Sequence, residues 1–270
     1  MNLNGKVAIV TGSTKGIGRA IAETLVREGL NVCVSARKAD EVERAVRELS
    51  DVGEGKVTGA VCDVRDYDEV KALFEHTVSE FGGVDVLVNN AGMPKRRRVQ
   101  DLCPAEVDEV MRLNYVSPVR LTLALLPGML ARGHGHLVAV GSVAARLGPP
   151  HEAAYGASKA AVTAFWESMV VDLDGTGVQV HLVQPALIDT GLFSVPGNEP
   201  PLSDLADALP PQEAAAAVLE VIGTGRFERY VPDWFHEMAS GKAADVEAFV
   251  AGVKDWTRER LRDRHRAAGS

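Results

Sequence analysis

The sequence predicts a doubly wound α/β fold, in which helices cover both faces of a parallel sheet within a single domain. Short apolar, β-branched segments alternate with longer segments of helical periodicity as far as residue 185. The apolar segments are almost continuously hydrophobic, as strands buried on both faces are. A glycine-rich loop directly follows the first of them, where such sheets bind phosphate. A closed eightfold barrel is disfavoured because the alternation becomes irregular after residue 185.

Six strands and five helices are expected in alternation. The strands are Lys6–Thr11, Asn31–Ser35, Lys56–Cys62, Val84–Asn89, His136–Val140 and Val178–Val183. The helices are Gly18–Glu28, Asp40–Leu49, Asp66–Phe81, Ala105–Ala131 and Tyr155–Leu173. Because crossovers between parallel strands are right-handed, this order favours an open sheet of the Rossmann type.

The region after the sixth strand has a different composition. Five prolines in Gly191–Pro211 exclude a continuous helix or a central strand, so we expect a substrate loop at about 191–211, beside the carboxyl end of the sixth strand. The C-terminal segment, about 226–270, ends in the charge-rich tail Asp255–Ser270, which is typical of a solvated helix. No low-complexity linker interrupts the body, and residues 1–270 are therefore expected to form one domain.

Composition and charge favour a soluble protein that acts on a small molecule. The 270 residues are 46% hydrophobic and 24% charged, with a formal net charge of -8. An acidic protein repels nucleic acid and anionic lipid, so we expect neither as a partner. Three cysteines without paired spacing predict neither a disulfide framework nor a metal site. The N-terminus has no signal-peptide pattern and the chain has no long apolar run, which favours a cytoplasmic location.

The loop VTGSTKGIGRA, Val10–Ala20, has the character of a phosphate-binding turn. Its glycines, Gly12, Gly16 and Gly18, permit positive φ and a close approach of the backbone to pyrophosphate, and the following helix N-terminus offers free N–H groups. No Gly-Lys-Ser/Thr follows, which disfavours a nucleoside triphosphatase. Taken alone, the loop also fits a tight turn with close packing.

Further motifs occur downstream in a fixed order. They are Asp63-Val64, the segment Asn89-Asn90-Ala91-Gly92, Asn114, Ser142, and Tyr155 with Lys159. Together with the glycine loop, this set resembles the short-chain dehydrogenase/reductase family over roughly residues 5–190. The resemblance implies an oxidoreductase that transfers a hydride between a nicotinamide dinucleotide and a carbonyl/alcohol pair.

The spacing of Tyr155 and Lys159 is chemically meaningful because residues i and i+4 lie on one helical face. A nearby ammonium is expected to lower the pKa of the phenol toward working pH, as general acid–base catalysis requires. The resemblance implies that Ser142 binds the substrate oxygen, that Lys159 also holds the nicotinamide ribose, and that Asn114 anchors a relay water. A capping or surface asparagine is the alternative at Asn114.

The resemblance also implies a set of residues that bind the dinucleotide, with Asp63 at the adenine and Ile188 and Thr190 near the carboxamide and phosphate. The full set is Gly12, Ser13, Thr14, Lys15, Gly16, Ile17, Gly18, Arg37, Asp63, Val64, Asn90, Ala91, Gly92, Tyr155, Lys159, Pro185, Ile188 and Thr190. The chain departs from the family at Ala186, where a glycine usually follows the proline.

The segment after the second strand favours NADP(H) over NAD(H). An NAD site places a carboxylate about twenty residues beyond the glycine loop, whereas a 2′-phosphate calls for cations. This chain has Arg37 at that place and no acid before Asp40, and Lys15 in the loop supplies a second cation. Two solvated surface charges are the alternative interpretation.

Several other features receive structural expectations. The basic run Lys95-Arg96-Arg97-Arg98 is expected to be a solvated loop tip rather than a ligand contact, and His134 and His136 to form a turn rather than a metal site. The aromatic residues Tyr230, Trp234 and Phe235 are expected to pack in the core or at a subunit interface rather than against substrate. The resemblance implies a homodimer or homotetramer formed through the two longest helices.

The sequence thus predicts an NADP(H)-dependent ketone reductase in which Tyr155 is the general acid/base. An NAD-dependent alcohol dehydrogenase is the alternative within the enzymes. A non-catalytic dinucleotide sensor or scaffold on the same fold is the alternative outside them, and it has no need of the Ser142, Tyr155 and Lys159 set.

Overall fold

An all-parallel sheet of seven strands forms the centre of the protein in the computed structural model, which describes residues 3–202 and 208–268. The strand order is β3-β2-β1-β4-β5-β6-β7. The strands are β1 Val7–Thr11, β2 Asn31–Ala36, β3 Val57–Val61, β4 Val86–Asn89, β5 Gly135–Val140, β6 Val178–Pro185 and β7 Glu228–Val231. The doubly wound α/β prediction is confirmed.

Helices cover both faces of this sheet. Their bounds are α1 Gly16–Arg27, α2 Ala39–Leu49, α3 Tyr67–Phe81, α4 Pro104–Met111, α5 Ser117–Arg132, α6 Ala144–Leu147, α7 Ala153–Asp172, α8 Pro211–Thr224, α9 Phe235–Ala244 and α10 Val246–Ala268. Helices α1, α2 and α8 pack on one face, and α3, α5 and α7 on the other. Successive residues of β1 point to opposite faces, since Ala8 and Val10 join the first cluster and Ile9 the second.

Two regions differ from the expected elements. The strand β7 was not predicted, because its sequence ERYV is short and half charged, yet it pairs parallel with β6 from Leu182 opposite Glu228 onward. The expected helix Ala105–Ala131 is divided into α4 and α5 by a π-helical turn at Arg112–Val116. Part of the expected substrate loop, residues 203–207, lies outside the described residues.

The strand order reverses direction between β1 and β4, which creates the crevice where doubly wound sheets bind ligands. Thr11, at the end of β1, joins the two strands there. Its hydroxyl accepts hydrogen bonds from the N–H groups of Asn90 and Ala91, both at 3.0 Å, and donates one to the Val88 carbonyl at 3.3 Å. The glycine loop and the Asn90–Gly92 segment therefore meet at one edge of the sheet.

The two C-terminal helices lie over the carboxyl end of the sheet beside α6. Lys242 of α9 donates to the Arg146 carbonyl of α6 at 2.7 Å, and α10 follows α9 after one residue. We refer to α9 and α10 together as the roof. Across residues 3–202 and 208–268, no helix combines the length and apolar character needed to cross a membrane.

Candidate active site

The glycine loop has the geometry of a phosphate cradle. Gly12 and Gly16 have φ of 64° and 56°, a region that other residues rarely adopt. A Cβ at Gly18 would lie 2.3 Å from the Gly12 carbonyl oxygen, so only glycine allows this packing. No side chain caps the N-terminus of α1. Its free N–H groups and its dipole fit an anionic pyrophosphate.

The polar side chains of the loop have different surroundings. The fully buried Ser13 hydroxyl donates to the Val10 carbonyl at 2.7 Å and accepts from the Ser35 N–H at 2.8 Å. The Ser13 backbone N–H also donates to the Ser35 carbonyl at 3.1 Å, so Ser13 ties the loop to β2 and offers neither its hydroxyl nor its N–H to a ligand. Thr14 donates to Glu41 at 3.3 Å, whereas Lys15 is exposed and Ile17 packs against the core.

The adenosine end of the crevice contains both signs of charge. Arg37 is exposed beyond β2, and the Asp63 carboxylate is held in a two-pronged contact by the Arg65 guanidinium. Hydrogen bonds from Arg65 are the main reason that the pKa of Asp63 is lowered, and Arg37 adds a smaller effect. Val64 beside Asp63 is buried.

Glu41 is a carboxylate in this region that the sequence analysis missed. It pairs with Lys38 at 3.1 Å, and this hydrogen-bonded contact is the main reason that its pKa is lowered, with Lys15 contributing. Glu41 and Lys15 therefore share one neighbourhood at the mouth of the glycine loop. Its position on α2 was visible in the sequence, but its approach to the loop depends on the packing of α2 against α1.

The Asn90–Gly92 segment connects the glycine loop with the catalytic residues. The Asn90 Nδ2 donates to the carbonyls of Thr11 at 2.8 Å and Gly12 at 3.2 Å. A Cβ at Gly92 would lie 3.2 Å from the Asn114 Oδ1 and 3.7 Å from the Lys159 Nζ. The two halves of the expected site are thus adjacent.

Asn114 lies within the π-helical turn and is almost completely buried. Its Oδ1 accepts from the Met93 N–H at 2.9 Å, and its Nδ2 donates to the Met93 carbonyl at 2.9 Å and the Ser158 hydroxyl at 3.0 Å. Single π-helical turns are frequent at functional sites. Here the amide locks the segment after β4 against α7, which excludes the surface alternative.

Tyr155 and Lys159 lie on α7, with the Lys159 Nζ 6.0 Å from the centre of the Tyr155 ring. The Nζ donates to the Val140 carbonyl at 2.8 Å, and burial lowers the pKa of Lys159 to about 8. Burial raises the pKa of Tyr155 to about 12. The expectation of a lowered tyrosine pKa is therefore wrong for the chain by itself, because the cost of burying a phenolate dominates.

Ser142 follows β5 and is positioned by Gln184, a residue that the sequence analysis did not assign to the site. The Ser142 N–H donates to the Gln184 Oε1 at 2.7 Å, while the Gln184 Nε2 donates to Thr163 and Glu228, both at 3.1 Å. A Cβ at Gly141 would lie 2.1 Å from that Oε1. A fully buried amide on β6 fixes the serine backbone, and Ser142 is one of the groups that lower the pKa of Tyr155 against the larger effect of burial.

The end of β6 approaches the glycine loop. Pro185 ends the strand and accepts a hydrogen bond from the Val143 N–H at 3.0 Å, and Ile188 is buried. The Thr190 methyl would lie 3.2 Å from a Cβ at Gly16, so Thr190 borders the loop directly. Ala186, the departure from the family pattern, donates to the Val231 carbonyl at 2.8 Å and lines the cavity described next.

A cavity of about 920 Å³ opens beside Ser142 and Tyr155. Its walls come from the segment after β5, from residues 192, 200–202 and 209, and from the roof, and they are mostly apolar. The aromatic lining residues are Trp234, Phe235, Phe249 and Trp256. Trp234 is 53% exposed, so core packing is wrong for it, while the interface packing expected for Trp234 and Phe235 stays a prediction; Tyr230 is buried in the body. A volume of this size accommodates a ligand of drug-like dimensions.

The basic run after β4 is not a solvated loop tip. Lys95 and Arg96 are 7% and 3% exposed, and Lys95 pairs with Glu106 of α4 at 2.9 Å. Arg97 approaches the same carboxylate at 3.1 Å. The expectation of a solvated loop tip is wrong because nothing in the sequence indicated that α4, which carries the partner Glu106, lies beside this loop.

The two histidines of the fifth-strand region also have defined partners. His134 contacts Asp85 at 2.9 Å, and the buried His136 shares a hydrogen bond of 3.0 Å with His181 on β6. Within the described parts of the chain, no cluster of His, Cys, Asp or Glu has the arrangement of a metal site.

Comparisons with known proteins agree with this geometry. A family model described as short chain dehydrogenase matches residues 6–198. The chain is 35% identical over 223 residues to the 3-oxoacyl-(acyl-carrier-protein) reductase FabG of Vibrio cholerae, covering 81% of this chain and 90% of that protein. It is 38% identical over 189 residues to a putative ketoacyl reductase of Streptomyces coelicolor, covering 69% and 72% of the two chains.

Solved structures give the same result. A short-chain dehydrogenase/reductase from Burkholderia phymatum, in complex with NAD, has a TM-score of 0.83 at 27% identity and covers 92% of this chain and 96% of its own. An actinorhodin polyketide ketoreductase variant with NADPH has a TM-score of 0.78 at 32% identity, with coverages of 85% and 97%. The chain belongs to the short-chain dehydrogenase/reductase family of oxidoreductases.

Proposed function

We propose that this protein is an NADP(H)-dependent reductase that converts a ketone with a large apolar body into the corresponding alcohol. The observation that carries the proposal is that Ser142 and Tyr155 line the apolar cavity while Lys159 lies beside Tyr155 and near Gly92. A sensor or scaffold would require the loop but not this proton-transfer set. The relatives named as ketoacyl and polyketide ketoreductases support the direction of reduction.

The catalytic residues have complementary roles in this proposal. The Ser142 hydroxyl accepts a hydrogen bond from the Ala144 N–H at 3.1 Å and retains its own proton to donate to the substrate carbonyl oxygen. Tyr155, with a pKa of about 12, carries its proton at neutral pH and supplies it to that oxygen. When bound, the dinucleotide supplies the hydride that reduces the carbonyl carbon.

Reprotonation of Tyr155 involves the residues around it. Lys159 and Asn114 flank Gly92, which supports a relay from the tyrosine through the ammonium toward a water near Asn114. Lys159 carries a lowered pKa of about 8 because it is buried, and it therefore releases and recovers a proton more readily than an exposed lysine. The same ammonium is the proposed ligand of the nicotinamide ribose.

The preference for NADP(H) rests on Lys15 and Arg37, two exposed cations at the ends of the glycine loop and β2. The carboxylate of Glu41 beside Lys15 favours the alternative, NAD(H), because it would repel a 2′-phosphate. Its pairing with Lys38 offsets that repulsion. Of the two solved structures described above, the actinorhodin polyketide ketoreductase was determined with NADPH and the Burkholderia phymatum protein with NAD.

A titration of both dinucleotides tests the cofactor preference. We expect Arg37→Gln and Lys15→Gln each to weaken NADPH binding by roughly tenfold, the loss of one charged hydrogen bond, and to leave NADH binding unchanged. Nicotinamide fluorescence measures both dissociation constants. Arg44→Gln, an exposed arginine on α2, serves as the control. Equal or tighter binding of NADH by the wild-type chain would replace this assignment with the NAD-dependent alternative.

A panel of ketones, followed through NADPH oxidation, tests the activity itself. We expect bulky apolar ketones to have higher kcat/KM than short polar ones, because the cavity walls are mostly apolar. Absence of turnover with every ketone, together with intact NADPH binding, would favour the sensor or scaffold.

We also propose that the protein forms a homodimer or a homotetramer. The proposal is supported by two apolar side chains that are exposed, Leu123 on α5 and Val171 on α7. Light scattering measures the oligomeric state.

A further inference from the structure

Two residues of opposite charge lie at the catalytic end of the cavity and have no part in the proton transfer described above. Arg96, on the segment after β4, is 3% exposed, and Glu152 directly precedes α7. Both line the same cavity as Ser142 and Tyr155. Charges removed from water interact strongly with a neighbouring group that changes its protonation.

Backbone and side-chain contacts to residues 198–199 hold Arg96 in place. Its N–H donates to the Asn198 Oδ1 at 2.6 Å, its Nε donates to the Glu199 carbonyl at 2.9 Å, and its carbonyl accepts from the Glu199 N–H at 2.9 Å. The guanidinium interacts electrostatically with Glu152 and Tyr155. Two of these contacts fix the Arg96 backbone, and the Nε contact with the Glu199 carbonyl holds the guanidinium itself.

Glu152 is held by the helix that carries Tyr155. Its carbonyl accepts a hydrogen bond from the Gly156 N–H at 2.7 Å, and Tyr155 follows it by three positions. Glu152 therefore lies at the start of α7, beside the first turn, which carries Tyr155. Burial raises the pKa of Glu152 to about 7, and Arg96 opposes that rise.

The groups around the Tyr155 hydroxyl come from three segments. Glu152 directly precedes the helix of Tyr155 and Lys159 lies on that helix, whereas Arg96 belongs to the segment after β4 and Ser142 to the segment after β5. After burial, Glu152 is the next cause that raises the pKa of Tyr155, while Ser142 and Arg96 lower it. Glu152 and Arg96 therefore act on the same proton with opposite sign.

We propose that Arg96 and Glu152 are paired positioning residues that set how tightly Tyr155 holds its proton: the Glu152 carboxylate strengthens the hold and the Arg96 guanidinium weakens it. The proposal rests on the role of Tyr155 in the proposed function. Because Glu152 ionises near neutral pH, its negative charge develops as the medium becomes more alkaline. Glu152 thereby keeps Tyr155 protonated, and ready to donate to a ketone, over a wider pH range, and Arg96 limits that effect.

Neutralising each charge separately tests the proposal through the pH profile of alcohol oxidation, which requires deprotonated Tyr155. We expect Glu152→Gln, which keeps the shape of the side chain, to move the limiting pKa of kcat/KM downward. Arg96→Gln should move it upward, each by on the order of half a pH unit. Arg96→Lys keeps the charge and should retain the wild-type profile, and the double variant Glu152→Gln/Arg96→Gln should lie between the single ones.

A direct titration of the tyrosine provides the second measurement. The onset of phenolate absorbance is compared between each variant and the same variant carrying Tyr155→Phe, in the chain without dinucleotide. We expect the same opposite shifts there. Shifts of equal sign, or unchanged onsets and profiles in both single variants, overturn the proposal. Failure of the proposed function would look different: no ketone would be turned over, while the opposite phenolate shifts would persist.

Discussion

At the scale of single residues, Gln184 shows how a side chain outside every motif positions Ser142, the proposed substrate-binding serine. Its amide connects the Ser142 N–H with Thr163 of α7 and Glu228 of β7. The sequence analysis assigned this residue no role. Its role depends on three partners far apart in the chain, which no local pattern reveals.

Substituting Gln184→Leu should reduce kcat by roughly tenfold or more and destabilise the fold by about 1–3 kcal/mol. The physical reason is that the Ser142 N–H loses its buried acceptor, while the Thr163 and Glu228 oxygens lose a donor. Steady-state kinetics and denaturant unfolding measure the two effects. Gln179→Leu, an exposed glutamine on the same strand, is the matched control. Wild-type kcat in Gln184→Leu would show that Ser142 is positioned without it.

At the scale of elements, the paired strands β5 and β6 carry a buried pair of histidines. Burial is the main cause that lowers the pKa of His136 to about 4, and His181 adds to it. An unfolded histidine has a pKa of about 6.5, so the unfolded chain takes up this proton first as pH falls. The neutral histidine pair therefore makes its full contribution to the free energy of unfolding above about pH 6.5. This contribution decreases progressively as the pH falls toward about 4.

The substitution His136→Phe should weaken the pH dependence of the free energy of unfolding, because it removes the titrating group while largely retaining the ring packing. Urea unfolding at about pH 7 and about pH 5 measures the difference, expected to be on the order of 1–2 kcal/mol smaller than in the wild type. His236→Phe, an exposed histidine on α9, is the control. An unchanged pH dependence in His136→Phe would contradict this assignment of the acid sensitivity.

The roof formed by α9 and α10 is the element most directly linked to substrate selection. Trp256 of α10 lines the cavity, while Val250 on the same helix is 37% exposed and does not line it. We expect Trp256→Ala to raise KM for a bulky apolar ketone by roughly 5- to 30-fold, the effect of about 1–2 kcal/mol of lost apolar contact.

The same substitution should leave kcat/KM for a short ketone nearly unchanged, because we expect a short molecule bound at Ser142 to make little contact with the roof. Val250→Ala is the matched control. Equal losses for long and short ketones in Trp256→Ala would show that the roof affects folding or the catalytic residues rather than substrate size.

At the scale of the whole molecule, the sequence predicted the parallel sheet well because its central strands are apolar at nearly every position. The edge strand β7 was not predicted because its sequence, ERYV, has two charged residues in four positions. The glycine loop was identifiable because positive φ at Gly12 and Gly16 leaves a residue signature. The contacts of Arg96 with residues 198–199 could not be predicted, because they join positions about a hundred residues apart and have no sequence signature.

The central claim, that Tyr155 transfers the proton in an NADP(H)-dependent ketone reduction, is tested most directly by combining Tyr155→Phe with two measurements. Fluorescence titration reports NADPH binding, and single-turnover oxidation of NADPH with the best ketone of the panel reports chemistry. We expect NADPH affinity within about twofold of the wild type and a reduction rate lower by about 100-fold or more. A variant that binds NADPH and reduces the ketone at the wild-type rate would contradict the claim.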